Sequence, residues 1–312
     1  MDGERKPSAL TKTCTVVLIA LFCCLLWGSA TPCIKVGYGL FSIASEDTMS
    51  QILFAGIRFT LAGILTILFS SLAGKKMIVP EKGSWSMVFV LALFQTIIQY
   101  FFSYIGLAHT TGVNGTIIIG MNAFFAVLIS SLIFRMEKLT PAKIIGCLIG
   151  LAGIAVITLK GKDSLGSGFK LNGEGFMLVS SLSYALSSVL IKRFSTKANP
   201  VALNGYQFVI GGLVMVAVSL LLGGKVEAGK PTDWFLMLYL GFISAAAYTL
   251  WSLLLKYNPV SKITAFTCTT PVFGVILSII LLNEGSQVSV LRCVLALALV
   301  TAGILIVNRQ KQ

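Results

Sequence analysis

The sequence predicts an all-α integral membrane protein with ten transmembrane helices, arranged as two inverted five-helix repeats. Three observations predict this fold class. Of the 312 residues, 56% are hydrophobic and only 11% are charged, whereas soluble domains carry about 25% charged residues. Ten apolar runs are each long enough to cross the hydrocarbon core, which takes about 20 residues. The last five runs resemble the first five in sequence.

The predicted spans follow one another with short connections, which leave no room for an extramembrane domain. The first run could instead be a cleaved signal peptide, because basic residues precede it and Gly28-Ser29-Ala30 lies near its end. A matching internal copy favours a span. The spans are predicted at residues 15–34, 51–73, 85–108, 113–134, 142–160, 174–193, 202–222, 233–255, 260–282 and 288–307.

The basic residues predict the orientation in the membrane. With the N-terminus inside, sixteen of the 24 Lys and Arg residues lie on the cytoplasmic side and seven on the other, and Arg58 alone lies within a span. The positive-inside rule therefore predicts that both termini are cytoplasmic, and we expect a multi-pass protein of the plasma membrane. The net charge of +13 is therefore explained by the basic residues of the cytoplasmic loops and termini, which set the orientation of the protein in the membrane. We expect the lipid bilayer and no nucleic acid as a partner, because the basic residues form no contiguous face.

An internal duplication supports the two repeats. The stretch GIRFTLAG that begins at Gly56 aligns without gaps with GYQFVIGG that begins at Gly205, a shift of 149 positions. At a shift of 157, Trp27 falls opposite Tyr184. Since five spans is an odd number, the two copies must be inverted, as in many transporters. We divide the chain into a first repeat at residues 1–160 and a second at residues 161–312.

Several short marks accompany this topology. They are Trp27-Gly28, Thr270-Pro271, Gly153, Ala302-Gly303, and Glu137 and Glu284 just after the fourth span of each repeat. Together with the ten spans they resemble the drug/metabolite transporter superfamily, specifically its EamA-type branch. The resemblance implies a helical bundle with a central cavity between the halves, which carries small metabolites, often amino acids or their relatives, by alternating access.

One position departs from that family pattern. Asn122 stands where the family usually has a proline like Pro271, so we expect the fourth span to be less kinked than the ninth. For Glu137 and Glu284, we favour capping of the following helix or pairing with a nearby basic residue over a contact with substrate.

Three basic residues are candidates for gating or structural charge. Arg58 lies about 10 Å deep in its span, and we favour a structural role over a substrate contact because its sister position holds the neutral Gln207. Lys35 and Lys192 occupy matching positions near opposite membrane faces. They could serve as gates, but snorkelling to the headgroups is the simpler interpretation.

Every Asp and Glu falls in a tail, a loop or a helix end. A buried carboxylate usually holds the cation in a small cation exporter, so such an exporter is disfavoured, and so is proton coupling through a mid-membrane Asp or Glu. Neutral polar and aromatic groups remain for binding, and they suit a neutral, zwitterionic or weakly anionic solute. The candidate substrate-binding residues are Trp27, Gln95, Gln99, Asn122, Ser183, Tyr184, Ser187, Tyr248, Thr267 and Thr270.

Some of these side chains have an alternative interpretation. The serine stripe of the sixth span and the stripe of Thr264, Thr267 and Thr270 suit helix packing equally well, because small hydroxyl residues allow close contact. Gly146 and Gly150 form a small-xxx-small motif, for which packing within the bundle is favoured over a homodimer.

The predicted function is a secondary transporter or facilitator for a small, amino-acid-like organic metabolite. The alternatives are a broad exporter of hydrophobic drugs and, in another class, a membrane receptor or scaffold. An enzyme is not expected, because the chain has a single histidine and no plausible catalytic cluster. We expect no cofactor and no metal.

Overall fold

A computed structural model describes residues 9–136, 138–158, 169–258, 263, 265–282 and 290–308. Within these ranges the chain forms helices and no strands, which confirms the predicted all-α class. Glu137, Glu284 and Thr264 lie outside the described residues. In chain order the helical segments are α1 (Thr13–Leu40), α2 (Thr48–Gly74), α3 (Lys82–His109), α4 (Gly112–Ile119 continued by Asn122–Leu128), α5 (Pro141–Thr158), α6 (Leu171–Phe194), α7 (Pro200–Leu221), α8 (Pro231–Tyr257), α9 (Thr269–Leu282) and α10 (Val290–Asn308).

The helices are apolar on their outer faces as well as in the core. Six of them, α1, α2, α3, α6, α7 and α8, are long and apolar enough to cross a membrane, and shorter apolar stretches make up the other four. Large side chains such as Leu72, Leu148 and Leu221 are exposed on the surface of the bundle. A helix that is hydrophobic all round needs lipid outside it as well as protein inside, so the chain is a multi-pass membrane protein.

Helices α2 and α7 cross at the glycines of the duplicated stretch. A Cβ atom added to Gly63 would lie 2.6 Å from the Gly205 carbonyl oxygen, and one added to Gly56 would lie 3.0 Å from the Gly212 oxygen. The first glycine of one copy thus meets the last glycine of the other copy. This reciprocal contact makes the two helices antiparallel and relates them by a two-fold axis, as in an isologous interface.

The other helix contacts follow the same symmetry. Helix α1 packs on α8 and α9, and its sequence counterpart α6 packs on α3 and α4. Helices α5 and α10 pack on each other, as α2 and α7 do. Exchanging each helix with the one five places later therefore reproduces these contacts. The two five-helix repeats are related by a pseudo-two-fold axis, as predicted for inverted copies.

The small-xxx-small motif of α5 packs inside the bundle. A Cβ added to Gly303 of α10 would lie 2.5 Å from the Gly146 carbonyl oxygen and 2.9 Å from the Gly150 nitrogen. The ring of Phe124 lies against both Gly150 and Gly303. The motif therefore serves helix packing within one chain, and a homodimer stays a prediction.

Irregular turns interrupt both the fourth and the ninth predicted span, so the expectation of a less kinked fourth span stays a prediction. Helix α4 is interrupted at Gly120 and Met121, whose N–H groups bond to the carbonyls of Ile117 and Ile118 only three residues back. Helix α9 runs unbroken through Pro271 and is preceded by a 3₁₀ turn at Ala265–Cys268. The interruption comes from this tightened turn, which a helix can form without proline, so the missing proline does not predict a straight helix.

The α2–α7 crossing predicts the effect of a single added methyl group. Gly212→Ala would place a Cβ 2.5 Å from the backbone nitrogen of Thr60, and we expect it to destabilise the protein by about 1–3 kcal/mol, as overpacking does. The measurement is unfolding of the purified protein in detergent.

Gly39→Ala is the matched control, because nothing lies within 4 Å of a Cβ at that exposed helical position. Alanine is favoured over glycine in a helix, so this variant should be neutral or slightly more stable. A Gly212→Ala protein as stable as Gly39→Ala would contradict the close crossing.

Candidate functional site

A cavity lies between the two repeats, where α1, α2, α3, α4, α6 and α8 meet the segment that leads into α9. The space between its walls is about 790 Å³, counting the part open to solvent. The walls consist of Trp27, Ala30, Thr31, Ile34, Arg58, Gln99, Tyr100, Ser103, Leu107, Ile119, Asn122, Ser180, Ser181, Tyr184, Tyr248, Thr267 and Thr270.

The cavity brings together seven of the ten candidate binding residues, although they come from six different helices and the 3₁₀ turn before the last of them. Arg58, which was favoured as structural, lines it as well. The seven are Trp27, Gln99, Asn122, Tyr184, Tyr248, Thr267 and Thr270.

Aromatic rings form one wall of the cavity. The ring of Trp27 lies edge-on to Tyr184 at 6.0 Å between centroids, to Tyr248 at 5.4 Å, and to Trp251 behind it at 4.9 Å. Tyr184 and Tyr248 are 6.2 Å apart. Edge-to-face pairs at these distances are favourable. Trp27 and Tyr184 are sister positions, so this wall lies near the pseudo-two-fold axis.

A hydroxyl network lies beside the aromatic wall. The Tyr248 hydroxyl is 2.5 Å from the Tyr100 hydroxyl and accepts a 3.3 Å hydrogen bond from Gln99 Nε2. Gln99 and Tyr248 are sister positions at the shift of 149. Their direct contact shows that the axis passes through this network, where each repeat contributes a different polar group.

Three polar groups at the cavity have no hydrogen-bond partner among the described residues. They are the Trp27 indole N–H, the Gln99 Oε1 oxygen and the Thr270 hydroxyl. The side chains of Gln99 and Thr270 are each only 6% exposed. Because buried polar groups are normally satisfied, these three groups are candidates for hydrogen bonds to water or a solute in the cavity. The cavity thus offers both a donor and an acceptor to a small polar molecule.

Arg58 places a positive charge at the cavity wall. Its side chain is 2% exposed, and it donates from Nε to the Leu240 carbonyl at 3.1 Å, from Nη1 to the Tyr104 hydroxyl at 2.9 Å and from Nη2 to Ser244 Oγ at 3.0 Å. The guanidinium also lies 4.9 Å from the centroid of the Phe59 ring. All of these partners are neutral.

Three candidate binding residues lie outside the cavity lining. Ser183 donates a 2.6 Å hydrogen bond to the Phe94 carbonyl, and Ser187 donates to the Tyr184 carbonyl of its own helix. For these two serines the packing interpretation is the one that the contacts favour. Gln95 is buried within a π-helical segment, Ala92–Ile98. Gln95 and Gln99 are four residues apart, a spacing that places two side chains on one face of a regular α-helix. The π segment changes the rotation per residue, so the two side chains do not share the cavity face.

The two lysines also lie away from the cavity. Lys192 is half-buried, and its Nζ donates to the Leu255 carbonyl at 2.6 Å and to the Asn258 carbonyl at 3.0 Å, at the end of α8. The Lys192 ammonium group therefore bonds to protein carbonyls, whereas the snorkelling interpretation expected it to extend to the lipid headgroups. Lys35 is half-buried near the end of α1.

Several lining residues were not among the candidates. They are Thr31, Tyr100, Ser103, Ser180 and Ser181, together with small and apolar side chains. Ser103 lies four residues after Gln99, and Ser180 lies three residues before Ser183, so helical periodicity would have found both. Nothing in the sequence distinguishes Tyr100 from the other tyrosines. Within the described ranges no group of three or more His, Cys, Asp or Glu side chains could hold a metal ion.

Two profile matches decide the family. The profile of the EamA-like transporter family matches residues 15–159 and again residues 171–309. The chain belongs to the EamA-like transporter family. This confirms the resemblance to EamA-type members of the drug/metabolite transporter superfamily, and the two matches follow the internal duplication.

Relatives of this EamA-like protein carry transporter names. It is 29% identical to an uncharacterized transporter of Synechocystis sp., covering 95% of this chain and 90% of the relative. It is 26% identical to the uncharacterized transporter YvbV of Bacillus subtilis, covering 97% and 94%. A solved crystal structure matches with a TM-score of 0.68 at 18% identity, covering 95% of this chain and 96% of that one. That likeness concerns the fold alone. The EamA-like protein is a membrane transporter by family.

The hydroxyl network predicts the effect of removing one oxygen. Tyr248→Phe deprives Gln99 Nε2 and the Tyr100 hydroxyl of their shared partner. We expect a loss of about 1–3 kcal/mol in the free energy of unfolding, because buried donors are left unsatisfied.

Tyr206→Phe is the control, since the Tyr206 ring packs 5.5 Å from Trp85, away from the cavity. Denaturant unfolding of both variants measures the difference. Equal stabilities for the two variants would mean that the network contributes nothing to the fold.

Proposed function

We propose that this EamA-like protein is a secondary transporter or facilitator that moves a small organic metabolite across the membrane by alternating access. The solute is neutral, zwitterionic or weakly anionic, and amino-acid-like in size. One observation carries the proposal: a cavity of polar and aromatic side chains lies on the axis between inverted repeats, with buried hydrogen-bonding groups that lack protein partners.

The closure of one end of the bundle supports alternating access. Lys192 joins α6 to the last carbonyls of α8, and Asn258 Nδ2 donates a 2.9 Å hydrogen bond to the Leu10 carbonyl before α1. The cavity lining instead extends toward the opposite end of the bundle, where it includes Ile34 and Leu107. Contacts that seal a solute site toward one side of the membrane are what an alternating-access cycle requires in each of its end states.

The repeat symmetry suggests how the second state forms. Lys35 is the sister position of Lys192, and Gly106 and His109 are the sister positions of Leu255 and Asn258. Lys192 now donates hydrogen bonds to carbonyls at the end of α8. If the two repeats exchange conformations, Lys35 of α1 donates hydrogen bonds to the carbonyls at the end of α3. In this proposal the two lysines are gate residues on opposite faces.

We also propose a plasma-membrane location with both termini in the cytoplasm. The surplus of basic residues on one side supports this orientation, and it makes Lys192 part of the cytoplasmic seal. A reporter fusion tests it in a bacterial host. Alkaline phosphatase fused after Gln312 should be inactive, and the same enzyme inserted after Gly229 should be active. The reverse pattern would invert the topology.

A broad exporter of hydrophobic drugs fits the cavity less well. A purely apolar solute would cover Arg58, Gln99 Oε1 and Thr270 without replacing their hydrogen bonds with water, and each such loss costs free energy. A receptor or scaffold needs an exposed surface for its partner, and the connections in the described part of the chain are short.

Transport by purified protein in liposomes tests the proposal. A panel of labelled amino acids and related organic acids should contain at least one solute that the wild-type protein moves. Gln99→Ala and Tyr184→Ala should each abolish that movement, because both side chains line the cavity.

Ser183→Ala is the matched control. It removes a buried polar side chain of α6 that faces Phe94 rather than the cavity, so the variant should keep most of the transport activity. A protein that moved no solute under any gradient would refute the proposed function. Transport unaffected by both cavity variants would refute this site.

A further inference from the structure

The cavity contains a buried cation without a buried anion. Arg58 is 2% exposed and lies at the cavity wall. The sequence has no Asp or Glu in any span interior, and within the described residues the guanidinium bonds only to two hydroxyls and one carbonyl. A buried charge is normally paired because removing it from water is costly. The described part of the fold therefore keeps a positive charge beside the cavity and supplies no acidic side chain that pairs with it.

The geometry leaves part of the guanidinium available. It has five N–H donors, and three of them are used by Leu240, Tyr104 and Ser244. These bonds hold the planar group in one orientation. A guanidinium fixed in this way can form paired hydrogen bonds with a carboxylate.

The sister position shows that the crossing of α2 and α7 does not need a charge here. Gln207 is fully buried, and its Oε1 accepts a 2.5 Å hydrogen bond from Thr96 of α3. Arg58 likewise bonds to a hydroxyl of the other repeat, that of Ser244 in α8. Because a neutral side chain makes a bond between the repeats at the sister position, helix packing alone does not account for the charge of Arg58.

We propose that Arg58 binds the carboxylate of the transported solute, and that the cavity takes small organic carboxylates. The proposal deepens and rests on the proposed transport function. The solute's apolar or aromatic part lies against Trp27 and Tyr184, and Gln99 Oε1 accepts a hydrogen bond from an N–H or O–H group of the solute. The carboxylate supplies the missing negative charge, so solute and cavity together are neutral at this point.

Matched pairs of carboxylate and carboxamide test the proposal, because each pair differs only in charge. The compounds are propionate and propionamide, benzoate and benzamide, and 3-phenylpropionate and its amide, each titrated at neutral pH against the purified full-length protein. Binding is measured from the rise in melting temperature, which follows mass action. At least one carboxylate should bind the wild-type protein about tenfold or more tightly than its amide.

Arg58→Gln introduces the residue of the sister position and should abolish that preference, so that the carboxylate binds no more tightly than its amide. Lys225→Gln is the control for net charge, because it removes a basic residue that is exposed outside the spans, and it should keep the preference. Arg58→Lys retains the positive charge but lacks the planar guanidinium that forms paired hydrogen bonds. It should therefore bind the carboxylate more weakly than wild type. This variant also decides the question if Arg58→Gln does not fold: undiminished carboxylate affinity would overturn the proposal.

Three other results would also overturn the anion site. They are a carboxylate preference that persists in Arg58→Gln, no preference in the wild-type protein, and equal stabilisation by chloride alone, which would mark a site for inorganic anions. The proposed function fails separately. If wild type and Arg58→Gln in liposomes both transport an uncharged solute and no carboxylate, the transport function is supported and the proposed role of Arg58 is refuted. If a carboxylate binds through Arg58 but no solute is transported, the anion site is supported and the transport function is refuted.

Discussion

The close crossing of α2 and α7 is the contact on which the rest of the architecture depends. Two helices can bring their backbones this close only where both lack side chains, and Gly56, Gly63, Gly205 and Gly212 meet that condition at reciprocal positions. The crossing sets the two-fold relation between the repeats. The remaining helices then pack in equivalent pairs around the same axis. A duplicated sequence thus becomes a symmetric bundle through one glycine-lined contact.

The symmetry of the backbone does not extend to the chemistry of the cavity. The axis brings Gln99 against Tyr248 and Trp27 against Tyr184, so the walls consist of sister positions that hold different side chains. Arg58 and Gln207 differ in the same way, one charged and one neutral. An asymmetric solute needs such a site, because a symmetric set of groups would not distinguish its two ends. The repeats have kept the packing residues alike while the polar residues at the axis differ.

The interruptions of helical structure border this cavity. Asn122 follows the break in α4, Gln99 follows the π-helical segment of α3, and Thr267 lies in the 3₁₀ turn before α9. Irregular backbone at membrane depth is tolerated only where protein or a polar cavity covers it, and π-helical turns are frequent at functional sites. These irregular turns place polar side chains, and backbone groups outside the regular α-helical hydrogen-bond pattern, next to the space that a solute would occupy. The regular helices α5 and α10 lie elsewhere and pack on each other.

The sequence alone determined the class of the protein, the number and order of its helices, the duplication and the carboxylate-free span interiors. Each of these depends on composition or on local patterns that the bilayer imposes on every residue in turn. Most of the polar cavity residues were also predictable, since Trp27, Asn122, Tyr184 and Thr270 are unusual in apolar spans. Only the tertiary structure decided which polar residues face the cavity. Ser183 and Ser187 donate hydrogen bonds to backbone carbonyls instead of lining the cavity. The hydrogen-bond partners of Arg58 lie in α3 and α8, which are distant from it in sequence. Helix rotation and irregular turns set those directions, and they are fixed by packing between helices rather than by the residues of any single one.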